Sequence, residues 1–140
     1  MLELKEKECF VHIHEDMTLV YSGSVFVGDQ DITYVLLKRI DVSLSVIETH
    51  KRGIFLPPES DLLQNDVDLF DHIKPVYGGL IKGVYDIVDK YLSVSKQMRI
   101  QKIILTGLFH KYTNIELSIS KNLSIPTKLL EYNIESLYRY

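Results

Sequence analysis

CFVHIHEDMTLVYSGSVFVGDQDIT, residues 9–33, decides the fold. Cys9, Val11 and Ile13 alternate with Phe10, His12 and His14, so the two sets leave opposite faces of a strand. Glu15-Asp16-Met17 supplies a tight turn. The β-branched and aromatic run Thr18–Val27 supplies a second strand that stops at Gly28. Directly beyond, Ile32, Val35, Leu36 and Ile40 recur at helical steps, and Asp29 or Asp31 can accept the free amides of the first turn. A hairpin that runs straight into an amphipathic helix is the start of a layered α/β domain.

Working outward, Leu2–Leu4 adds a short strand before the hairpin. A second helix is predicted over Leu44–Lys51, with Ser43 as N-cap or Ser45 and Glu48 at capping-box spacing. Pro57-Pro58 ends regular structure, and the polar stretch Glu59–Asp68 reads as a loop. Over Asp71–Ser95, the positions Ile73, Val76, Leu80, Val84, Ile87, Val88 and Tyr91 form an apolar stripe. Proline suits only a first turn, which places the start of that helix near Pro75. Gly78, Gly79 and Gly83 weaken the helix unless they admit a close neighbour. Lys102–Thr106 carries the short apolar run of a strand buried on both faces. A helix over Tyr112–Leu123, capped by Thr113 or Asn114, a strand over Thr127–Leu130 and a short helix over Ile134–Tyr140 complete the chain. The expected order is β-β-β-α-α-α-β-α-β, a mixed sheet with flanking helices in one domain over 1–140.

The composition narrows the function. A net charge of −3, with the basic residues scattered among acids, leaves no footprint for nucleic acid. Cys9 is the single cysteine, so no intramolecular disulfide can form; it sits in a strand and is expected to be packed, not reactive. No apolar run approaches the ~20 residues that span a bilayer, and the charged Met1–Glu8 is no secretory signal. His12 and His14 share a strand face, but two histidines without a third ligand at fixed spacing read as packing or solvated side chains, not as a metal site. His50, His72 and His110 are isolated, and the acids Asp61, Asp66, Asp68 and Asp71 lack the pattern of a calcium loop. Tyr132, Tyr138 and Tyr140 with Leu137 make an apolar end expected to pack on the domain.

Three stretches carry a resemblance. In LVYSGSVFVGDQDI, residues 19–32, Gly28, Asp31, Ile32 and then Thr33 fall where actin-like ATPases have a glycine and a polar-Asp-Ile-Thr helix start. In LKRIDVSLSVIETHKRG, residues 37–53, Glu48 and Lys51 keep the spacing of a small-residue–Glu pair followed by Lys, with Ile47 in the small residue's place. RIQKIILTG and NLSIPTKLL look like the buried strand ending in Thr-Gly and the Gly-Ile-Pro entry to the last strand, with Ser124 replacing the glycine. The chain thus resembles the second half of an actin-like, RNase H-like protein of the PilM, type II secretion L-protein and FtsA group, and within it the cytoplasmic domains of BfpC-type proteins of bundle-forming pili.

That resemblance implies where a nucleotide would lie. The family's Asp-hydrophobic-Gly phosphate motif falls on Glu3-Leu4-Lys5, and its Thr-Gly-Gly-Gly adenosine motif on Thr106-Gly107-Leu108-Phe109. Lys5 and Phe109 stand where bare backbone is needed, so both motifs are degenerate and neither a cofactor, a metal nor catalysis is expected. The implied role is a scaffold on the cytoplasmic face of the bacterial inner membrane. Its implied partners are membrane proteins of a pilus or secretion platform and the hexameric assembly ATPase, with membrane association through partners or a segment outside this chain. The helix carrying Gly78, Gly79 and Gly83 and the stretch Leu108–Tyr112 are the candidate contact surfaces. The rival implication is half of an ATP-binding protein completed elsewhere. An RNase H-like nuclease is disfavoured, because Glu3 is the one acid placed on a central strand.

Overall fold

A computed structural model describes residues 1–40, 42–56 and 69–130. The expectations for Pro57-Pro58, for Glu59–Asp68 with its three aspartates, and for the tail with Tyr132, Leu137, Tyr138 and Tyr140 lie outside the described residues. The elements are β1 (Leu2–Leu4), β2 (Cys9–Glu15), β3 (Thr18–Val25), α1 (Asp29–Arg39), α2 (Leu44–Lys51), α3 (Leu69–Val94), β4 (Ile103–Gly107), α4 (Ile115–Leu123) and β5 (Thr127–Leu129). A 3-10 turn, Leu108–Lys111, joins β4 to α4. The five strands lie in the order β3-β2-β1-β4-β5. The β1–β2 and β2–β3 pairs are antiparallel, and β1–β4 and β4–β5 are parallel. This is the mixed sheet with flanking helices expected from the sequence.

The strand alternation translates directly into layers. Cys9, Val11 and Ile13 are buried, whereas Phe10 and His12 are half-buried and His14 is exposed. Asp16 and Met17 both take positive φ, the backbone of a two-residue hairpin turn whose twist matches the strands it joins. On the buried face α3 runs along β3 in the opposite direction. A Cβ on Gly83 would come within 2.5 Å of Val25, Gly23 lies under Ile87, and the Tyr91 ring stacks 5.7 Å from that of Tyr21. Four helix residues (about 6.0 Å) thus match two strand residues (about 6.8 Å). Gly83 is therefore a packing residue. Among the described residues, a Cβ on Gly78 would meet no neighbouring atom, and one on Gly79 would barely touch Val27.

Two expectations need correction. The long helix begins at Leu69, not at Pro75, which lies inside it. The buried stripe Leu69, Ile73, Tyr77, Leu80, Val84 and Tyr91 anchors the turns on both sides of the proline, and this packing outweighs one missing backbone hydrogen bond. The stripe is centred on Tyr77, with Val76 only partly buried. The last helix starts at Ile115, not at Tyr112, because the 3-10 turn intervenes. No helix among the described residues is long and apolar enough to cross a membrane.

Candidate functional site

The parallel pairing of β1 with β4 sets Glu3 beside Thr106 and Leu4 beside Gly107. Residues a hundred positions apart therefore meet at the carboxyl ends of two neighbouring strands, where open α/β sheets characteristically bind ligands. Gly107 takes φ 73°, and a Cβ there would fall 2.5 Å from the Leu4 carbonyl oxygen, so only glycine fits. Glu3, Lys5, Thr106 and Gly107 are all brought to this place.

The β1–β2 turn closes the site on one side. Its carbonyls at Lys5 and Glu6 accept the amides of Asp29 (2.9 Å) and Gln30 (2.8 Å). Gly28 makes this approach possible, since a Cβ on it would sit 2.3 Å from the Glu6 oxygen. Asp31 turns back to accept the Gly28 amide at 2.7 Å, as a capping box does. The amino end of α1, a natural anion site in other proteins, is here satisfied by the chain's own oxygens. Lys5 itself is half-exposed, 3.5 Å from Glu3. It is thus the backbone of the turn, not the Lys5 side chain, that meets the helix.

Asp29 does not cap its helix. Its side chain is buried and faces inward. One carboxylate oxygen accepts from Lys51 Nζ at 2.9 Å and from Lys111 Nζ at 3.1 Å, and the other accepts the Tyr112 hydroxyl. Glu48 completes the set, accepting from Lys51 at 2.9 Å and from Lys111 at 3.2 Å. Two carboxylates and two ammonium groups alternate, so the group is neutral although the Lys51 side chain is 0% exposed. Burial would raise the Asp29 carboxyl, but hydrogen bonds from Tyr112 and Lys51 and the Lys51 charge hold it below the ordinary range. The same opposition, between burial and the two lysines, leaves Glu48 lowered. Burial and the nearby Asp29 charge push the Tyr112 hydroxyl well up. The Tyr112 ring packs edge-on against Phe55, which meets Phe70 and Tyr77 in the same manner. These contacts join the segment after α2, helix α3 and the residue that follows the 3-10 turn.

Phe109 was expected to protrude where an adenosine would lie. Instead the 3-10 turn carries it into the core, where it is 0% exposed. The residues that do line this ground, Lys111, Tyr112 and Asp29, escaped the sequence reading as a charged set. Glu48 and Lys51 stand out in the sequence by their spacing, Asp29 as a helix cap, and Lys111 and Tyr112 only as part of the stretch Leu108–Tyr112. Two grooves, of about 570 and 890 Å³, lie elsewhere: between the carboxyl ends of α3 and α4, and along Met1, His12 and Gln97–Ile104. None of the residues of the β1–β4 site lines them. Cys9 is buried, and its thiol is pushed up to about 12 by burial and the Glu3 charge.

Neither a protein-family model nor a curated protein matches the sequence. Solved structures do. The chain superposes on a structure of the PilM-PilN type IV pilus biogenesis complex with a TM-score of 0.70 at 13% identity, over 97% of this chain and 40% of that one. It matches the ethanolamine utilization protein EutJ from Carboxydothermus hydrogenoformans with a TM-score of 0.61 at 13% identity, over 91% of this chain and 42% of that one. An MreB of Spiroplasma citri bound to AMPPNP gives 0.68 at 12% identity, over 91% of this chain and 46% of that one. The fold is thus that of an actin-like half, and the chain spans less than half the length of these proteins.

Proposed function

We propose that the chain is a non-catalytic adaptor of a type IV pilus or type II secretion platform, of the BfpC type, working at the cytoplasmic face of the inner membrane. The fold likeness to a pilus biogenesis complex supports the setting. One observation carries the rest. At the junction of β1 and β4, the ground that the resemblance assigns to a nucleotide is taken up by the chain's own groups. The turn carbonyls satisfy the α1 amides, and the lysines that could receive phosphate are neutralised by Asp29 and Glu48. A triphosphate would have to break into a satisfied ion cluster whose Asp29–Lys51 pair is buried, at a cost of several kcal/mol. The domain then contributes binding surfaces. The energy comes from the hexameric assembly ATPase, and partner proteins link the domain to the membrane.

The rival reading, half of an ATP-binding protein, draws on the AMPPNP-bound MreB likeness and on the retained Glu48 and Lys51. Calorimetric titration with ATP and magnesium separates the two. The adaptor reading expects no saturable heat up to millimolar nucleotide, together with co-purification of the assembly ATPase. Saturation in the micromolar range overturns it.

A further inference from the structure

Charge is unevenly placed along the chain. Between Asp89 and Glu131 the one acid is Glu116, in the first turn of α4. Lys96, Arg99, Lys102 and Lys121 lie where α3 and α4 end and β4 is about to begin. Because β4 and β5 run parallel, these places share one end of the sheet, opposite the end that carries Thr106 and Gly107. All four cations are exposed, and among the described residues none has an ion-pair partner. The antiparallel hairpin brings Glu15 and Asp16 to the same end, where Glu15 accepts the Tyr91 hydroxyl at 2.7 Å. Asp89 lies more than a turn back along α3.

This end also holds apolar side chains in water. Met17 is 97% exposed, Met98 93% and Val94 75%. They stand on the hairpin turn, on the α3–β4 connection and at the last residue of α3. The groove of about 890 Å³ runs between the hairpin and the connection, with Met17 and Arg99 both in its walls. Arg99 also lines the groove of about 570 Å³, beside Leu92, Leu123 and Ile125.

We propose that this end of the domain docks directly on an anionic lipid bilayer, beside any link made through partner proteins. Lys96, Arg99, Lys102 and Lys121 meet the headgroup phosphates, and Met17, Val94 and Met98 enter the acyl boundary. The combination selects the partner. Unpaired cations alone would attract any polyanion. Three apolar side chains on separate segments would need three pockets in a rigid acidic protein, whereas a fluid acyl layer closes around each of them. Lysine and arginine stems reach through that layer and keep their charges at phosphate depth. With few cations, and a net charge of −3 on the whole chain, attachment is reversible and sensitive to salt. Docking this way turns the opposite end, with Asp29 and Lys51, toward solvent, so lipid binding and nucleotide binding are read by separate measurements.

Flotation of the whole chain with phosphatidylcholine vesicles containing about 30% phosphatidylglycerol tests the proposal, against vesicles of phosphatidylcholine alone. Binding is expected on the anionic vesicles only, falling at least about tenfold between about 0.05 and 0.5 M salt. Lys96→Glu with Lys102→Glu should reduce it at least about tenfold. Lys7→Glu with Lys74→Glu changes the net charge equally at the other end of the sheet, and should reduce it no more than about twofold. Met17→Gln with Met98→Gln should reduce it several-fold. All six positions are exposed, so circular dichroism should show the fold unchanged. Absence of binding to the anionic vesicles overturns the proposal, as do equal losses from the two charge reversals or full binding by the methionine variant. Capture by soluble polyglutamate without vesicle binding would assign the surface to an acidic protein, and overturns it as well.

Discussion

The Lys51 ammonium lies 2.9 Å from the Asp29 carboxylate, and neither side chain is more than 6% exposed. Asp29 opens α1 and Lys51 closes α2, so the pair fixes the second helix against the amino end of the first. Truncating one partner of a buried pair costs more than the pair contributes, because the other charge stays behind. Asp29→Ala leaves Lys51 and Lys111 with Glu48 alone and strips the Tyr112 hydroxyl of its acceptor. Its expected cost is about 3–5 kcal/mol in urea unfolding. Lys51→Met leaves Asp29 with Lys111 and Tyr112, and should cost no more than about 2 kcal/mol. Equal losses would argue against a shared acceptor.

Stability should fall at both ends of the pH range. Asp29 and Glu48 have lowered folded values, so their contribution is present above the ordinary carboxylate range, near pH 4, and is lost as pH falls through the folded values. Lys111 and Tyr112 have raised folded values. Their contribution is complete below about pH 10 and is lost as pH rises through those values. Thermal unfolding should therefore show a plateau from about pH 5 to 9. Tyr112→Phe, which also removes the hydroxyl from Asp29, should lower the plateau and flatten the alkaline fall. An unchanged alkaline limb would count against the assignment.

The glycines of α3 should respond with opposite signs to one substitution. Gly78→Ala adds a methyl group to open space and should stabilise by up to about 1 kcal/mol, the propensity difference. Gly83→Ala places its methyl carbon 2.5 Å from Val25, so α3 must lift off β3, with an expected loss of about 1–3 kcal/mol. Ser124, a non-glycine residue, takes φ 56° at the end of α4. Ser124→Gly should gain about 1 kcal/mol. Denaturation midpoints read all three.

What the sequence disclosed was whatever a period or a spacing can encode. Alternation at Cys9–His14 and the stripe through Ile73, Leu80 and Val84 located the sheet and its covering helix, and the bulk glycine pattern flagged close packing. It could not say which glycine did the packing, because Gly78 and Gly83 differ only in what lies opposite. Pro75 misplaced the start of α3, since local backbone cost lost to the burial of Leu69 and Ile73. The charged set at the site was invisible for a related reason. Asp29 and Tyr112 lie 83 residues apart, and Asp29 reads locally as a helix cap. Only the pairing of β1 with β4 brings the 3-10 turn over α1. Phe109 was read as an obstacle from its place in a motif, but one turn of 3-10 geometry points it into the core.

That last difference changes what restoring the motif should do. If the lysine side chain were the obstacle, Lys5→Gly would open the phosphate position. In the structure the Lys5 side chain is half-exposed, and its pairing with Glu3 is screened by solvent, so its loss should barely change stability. The groups that meet α1 are the carbonyls of residues 5 and 6, which glycine also possesses. Lys5→Gly should therefore remain silent in titration with ATP and magnesium. Phe109→Gly should unfold the domain by removing a fully buried ring, at about 3–5 kcal/mol, without creating a pocket for adenine. If Lys5→Gly alone gained micromolar nucleotide affinity, the closure would reside in one side chain, and not in the helix-capping turn and the ion cluster behind it.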